Sequence, residues 1–83
     1  MSRLKKGLLV RDIDGEVVVL DPERDQVHQF NASASLIWRL YESGKEVEEI
    51  AKGLETEFGL GHDRAREDSQ VALVEFRRLG LIA

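Results

Sequence analysis

Few side chains in this sequence could carry chemistry, and their spacing limits what each could do. The two histidines, His28 and His62, stand far apart without a neighbouring ligand, and the chain has no cysteine. A zinc site needs three or four convergent ligands, so no metal centre is predicted. The lack of cysteine also excludes disulfides and a thiol nucleophile. Asp12, Asp14 and Gly15 open like a calcium loop, but the later oxygen ligands and the closing glutamate are missing, so a hairpin turn is the better reading. Ser33 and Ser35 with His28 form a nominal nucleophile and base, yet no elbow motif or orienting carboxylate accompanies them. Serines in a first helical turn ordinarily serve as caps. Gly59 and Gly61 bracket one leucine and read as a turn rather than a phosphate loop. The sequence therefore predicts a protein that binds rather than catalyses, with no cofactor.

The elements that would position these residues are legible from periodicity. Leu8, Leu9, Val10 and Ile13 form a first strand, and Asp14-Gly15 suits a two-residue type I′ turn, in which both positions take positive φ. Glu16 to Leu20 holds a β-branched run fit for a strand with partners on both sides. Asp21-Pro22 ends it, and Asp21 to Asp25 is expected to be a solvated charged loop. Gln26 to Phe30 is the third strand, with Val27 and Gln29 on one face and His28 and Phe30 on the other.

Asn31 then caps a helix whose stripe is Ser33, Ile37, Leu40 and Tyr41, widened by Ala34, Leu36 and Trp38. Trp38 and Tyr41 are read as core; the alternative is that one edge of Trp38 lines a groove. A second helix follows Gly44, with Val47, Ile50, Ala51, Leu54 and Phe58 inward, Gly53 on the polar side, and Glu46, Glu48 and Glu49 suiting the helix dipole. A third runs from about Asp63 to Leu79, with Ala65, Ser69, Ala72, Leu73, Phe76 and Leu79 inward, Gly80 closing it, and Leu81 and Ile82 packing back. Together these predict one α+β domain over 1–83, with a sheet over about 7–31 and helices over about 32–43, 47–58 and 63–79.

Charge narrows the partners. Lys and Arg number 12 against 16 Asp and Glu, for a net charge of −4, which disfavours nucleic acid. No apolar run approaches the ~18 residues of a membrane helix, and the charged stretch Met1 to Lys6 leads into no apolar signal segment, so a cytoplasmic protein is expected.

The order of residues also resembles a family. Phe30-Asn31, Ala34, Ile37-Trp38, Gly44, Val47, Ile50-Ala51, Leu54, Phe58-Gly59, Leu73 and Gly80-Leu81-Ile82 are similar in kind and spacing to the PqqD-like proteins, small domains also called RiPP recognition elements. The resemblance covers about Val17 to Ile82. Glu46 replaces a common threonine, which predicts a weaker cap on the second helix. Ser69 and Ala72 replace bulky residues, and Phe76 replaces a leucine.

The resemblance implies a winged-helix-like fold: a three-stranded antiparallel sheet followed by three helices. It implies binding of the leader segment of a ribosomally made precursor peptide, added as a strand to the third strand beside the third helix. The partner enzyme would be a leader protease of lasso type, favoured on size, or a radical SAM maturase. The docking residues expected are Val27, His28, Gln29 and Phe30, mainly through backbone groups, together with a helical stripe of Glu67, Val71, Val74 and Arg78. An open edge also admits an edge-paired or swapped dimer beside the monomer. The competing reading is a winged-helix DNA-binding regulator, whose recognition helix would use Arg64, Arg66, Arg77 and Arg78.

Overall fold

Asp14 and Gly15 take φ of 54° and 83° and turn β1 (Leu9–Ile13) back into β2 (Glu16–Asp21). These positive values are those a type I′ turn requires. Asp12 accepts the Gly15 N–H at 3.0 Å and pairs with Arg39, so the turn is also tied to the helical layer. β3 (Gln26–Gln29) pairs antiparallel with β2, giving the order β1-β2-β3 in a computed structural model that describes residues 3–83. Met1 and Ser2, part of the charged stretch considered above, lie outside the described residues. Leu8 falls just before β1, where the expected strand was one residue longer.

The sheet has two unlike faces because its side chains alternate. Val17, Val19 and Phe30 are buried against the helices, while Val18 and Leu20 are half-buried on the other side. Asn31 caps α1 (Ala32–Glu42), its side-chain oxygen accepting the Ala34 N–H at 2.9 Å. α2 (Val47–Phe58) and α3 (His62–Arg78) pack on α1 and on each other. Trp38 is fully buried, its ring 5.4 Å from Phe30 and 5.3 Å from Phe76, so it is core and not groove.

Several expectations are corrected. Asp21 is not solvated: it is 1% exposed, ends β2 rather than beginning a loop, and takes both carboxylate oxygens to Lys5 Nζ at 3.1 and 2.9 Å. This pair holds the Asp21 carboxyl below its usual range. Gly53 does not lie on a polar side. A Cβ there would stand 2.6 Å from Leu40 Cδ1, so the absent side chain lets α2 approach α1. Glu46, expected to weaken the α2 cap, donates its N–H to Glu49 Oε1 at 3.3 Å in a capping box, and Arg3 holds its carboxylate at 3.0 Å. Ser35 is buried instead of capping the first turn, and Phe58, read as inward, is 39% exposed.

The N-terminal segment is structural. Arg3 donates to the carbonyls of Tyr41 and Lys45 at 2.9 and 2.8 Å and lies 3.8 Å over the Tyr41 ring, closing the turn between α1 and α2. Leu4 bridges Ile82, and Lys5 donates its N–H to the Leu81 carbonyl at 2.9 Å. At the end of α3, Arg24 donates to the Leu79 carbonyl at 3.0 Å, packing over Gly80 where any Cβ would meet its guanidinium.

Candidate functional site

A groove of about 720 Å³ lies between β3 and α3. One wall is Val27 to Phe30, followed by the start of α1. The opposite wall is α3, through Arg64, Asp68, Val71, Ala72, Glu75, Phe76 and Leu79. Phe30 and Phe76 meet at 4.8 Å between these walls.

The edge of β3 can be assigned atom by atom. Phe30 donates its N–H to the Val17 carbonyl at 2.9 Å, so it faces β2. Antiparallel strands alternate, and His28, paired with Val19, and Gln26, paired with Asp21, therefore also turn their backbone groups toward β2. Val27 and Gln29 turn theirs outward. Among the described residues no strand pairs with that edge. The groove thus offers two outward N–H groups and two outward carbonyls along one wall.

Of the residues expected to form the site, Val27, His28, Gln29, Phe30 and Val71 line this groove, whereas Glu67, Val74 and Arg78 do not. The reason lies on the helical wheel. The buried line of α3 is Ala65, Ser69, Leu73 and Phe76, and Glu67, Val74 and Arg78 stand on the opposite side of the helix from it. The groove lies between these two faces, on the side of Arg64, Asp68, Val71 and Glu75, whose offsets of 4, 7 and 11 residues describe an equally regular stripe. Sequence reasoning missed it because spacing alone does not say which of two regular stripes faces β3. Arg78 reaches the groove only indirectly, donating from Nε to Glu75 Oε2 at 2.9 Å, which holds the Glu75 carboxyl low.

The site's lining is mixed, with His28, Gln29, Asn31 and Ser33 on the strand side and Arg64, Asp68 and Glu75 on α3. Arg64 and Asp68 pair with each other at 3.2 Å near one end, and Glu75 with Arg78 stands nearer the other. Between them α3 contributes Val71 and Ala72. The Nε2 of His28 is buried without a hydrogen-bond partner among the described residues. No cluster of three or more metal-ligating groups occurs among the described residues, and none of their helices is long and apolar enough to cross a membrane. The arginines of α3 are engaged: Arg64 by Asp68, Arg66 by Glu48, Arg78 by Glu75, while Arg77 donates to the Ala83 carbonyl.

A small sheet joined to three helices, with an open strand edge beside a groove, defines a scaffold suited to taking up an extended chain. A family model described as coenzyme PQQ synthesis protein D (PqqD) matches residues 16–82. The chain belongs to the PqqD family, and is a PqqD-like RiPP recognition element, as the residues around Asn31 and Trp38 suggested. Its fold is similar to that of a solved chain described as TbiB1 in complex with the TbiA(beta) leader peptide, with 26% identity, a TM-score of 0.88, and coverage of 96% of this chain and 93% of that one. A second, described as lasso peptide synthetase B1 complexed with the leader peptide, has 23% identity and a TM-score of 0.89, covering 98% and 95%. No curated protein matches the chain.

Proposed function

We propose that this protein binds, without catalysis, the leader segment of a ribosomally made precursor peptide as an added strand on β3, and presents it to a modifying enzyme in the cytoplasm. The observation that carries this reading is the open edge of Val27 and Gln29 forming one wall of a groove floored by Phe30 and Phe76. Backbone pairing supplies affinity for any extended segment, and the groove between the paired charges selects apolar side chains. The leader peptide held by the 26% identical neighbour supports the same reading. A lasso-type leader protease and cyclase system is the favoured destination, in keeping with the solved chain of like fold described as lasso peptide synthetase B1; a radical SAM maturase is next. Holding substrate and enzyme together raises local concentration, which needs no catalytic group of its own.

The test is a titration of labelled protein with the leader of a precursor encoded beside its gene, following backbone amides. Shifts concentrated on Gln26 to Asn31 and on the Arg64 to Glu75 side of α3 are expected. Absence of shifts with every neighbouring precursor would remove the reading, and retardation of duplex DNA would then favour the regulator.

A further inference from the structure

The face of the sheet turned away from the helices is unusually apolar at one row. Leu9 pairs with Leu20, and Leu20 pairs with Val27, so three aliphatic side chains line up across β1, β2 and β3. Leu9 is 46% exposed and Val27 is 66% exposed. At the β3 end of this row is a notch of about 240 Å³, lined by Leu20, Asp21, Pro22, Asp25, Gln26 and Val27. Val27 is common to the notch and the groove, and the edge of β3 runs between them.

We infer that this notch is a second recognition subsite, taking an aliphatic side chain of the peptide that adds to β3. The inference rests on strand addition and specifies its ligand further. Directly opposed residues in neighbouring strands place their side chains on the same face, whichever way the strands run. The peptide residue opposite Val27 therefore projects onto the outer face, beside Val27 and over Leu20, and lengthens the row to four strands. Its immediate neighbours in the peptide project into the groove toward His28, Phe30 and Val71. The residue opposite Gln29 returns to the outer face beside a polar side chain whose Nε2 already donates to Glu16 at 3.1 Å. The ligand is thus an extended segment with apolar side chains of both parities: some buried in the groove, and one aliphatic residue outward at the notch.

Peptides selected from a random displayed library on the purified full chain provide the probe. The expected result is that they carry an aliphatic residue out of phase with the groove-facing ones, and that methyl contacts link it to Val27 and Leu20. Val27→Thr, which keeps the β-branched shape, should weaken such peptides roughly three- to tenfold. Val27→Lys should weaken them further, and trimming the outward peptide residue to Thr should add little in either variant. If Val27→Lys and Leu20→Thr both bind within twofold of wild type while Val71→Asp loses binding, the peptide is read by the groove alone and the second subsite is overturned, though strand addition stands. If selected peptides shift no amide from Val27 to Gln29, strand addition itself fails, and this subsite with it.

Discussion

The Ser35 hydroxyl is inserted into the β-ladder beside Val17: it accepts the Val17 N–H at 2.8 Å and lies 3.3 Å from the Phe30 carbonyl, to which it donates. Phe30 still donates to the Val17 carbonyl at 2.9 Å, so one bond of the pair is direct and the other passes through a side chain. The strands part where β3 must leave the sheet for α1, and no backbone group there is orphaned.

Ser35→Ala should therefore cost about 1–3 kcal/mol, because a buried N–H loses its partner in a site shaped around a hydroxyl. Urea unfolding monitored at Trp38 measures it. A change below about 0.5 kcal/mol would mean that the ladder closes unaided.

Gly53 tests packing against propensity. Alanine in a helix interior ordinarily gains about 1 kcal/mol over glycine. Here the new methyl meets the end of the Leu40 side chain, which must move, and Gly53→Ala should be near neutral. In a Leu40→Ala background the obstacle is gone, and the same substitution should stabilise by nearly the full amount. Additive behaviour in that double-mutant cycle would argue against the contact.

Two groups make stability depend on pH in opposite senses. His62 lies against Glu55 at 2.9 Å and Glu48 at 3.7 Å, which raises its pKa above 6.5. Its contribution is complete below 6.5 and is lost as pH rises through the folded value. Asp21, held below 3.8 by Lys5, contributes above that value and is lost as pH falls through its folded one. The stability gap between wild type and His62→Gln should be full below pH 6.5 and narrow as pH rises through the raised folded value. That between wild type and Asp21→Asn should narrow only in acid.

For peptide binding, Val71 and Val74 give a matched pair, each 61% exposed on α3. Only Val71 borders the groove. Val71→Asp should weaken a leader peptide by roughly tenfold or more, and Val74→Asp by less than about twofold. Equal losses in calorimetric titration would place the ligand on the outer side of α3.

What the sequence disclosed was local. The Asp14-Gly15 turn, the Asn31 cap and the alternation along β3 each depend on residues within a turn of one another, and pattern alone finds them. Arg3 reaching Tyr41 over 38 positions, or Lys5 reaching Asp21 over 16, leaves no periodic trace. The groove was half legible for the same reason. Its strand wall followed from the family resemblance, with alternation assigning the faces, but the face of α3 that completes it depends on how the helix is rotated against Phe30. The regular spacing of Glu67, Val71, Val74 and Arg78 gave no information about that rotation.

The Phe30–Phe76 contact has a kinetic meaning as well as a structural one. Because the rings touch at 4.8 Å, one from the chain leaving β3 and one from α3, the two walls cannot spread or close without breaking core packing. On the proposed strand addition, an arriving peptide would meet a track already set to width, so little ordering of the protein would oppose capture. If the proposed strand addition holds, selectivity among peptides would reside in how long each stays, with exchange governed by dissociation rather than by any opening of the receptor.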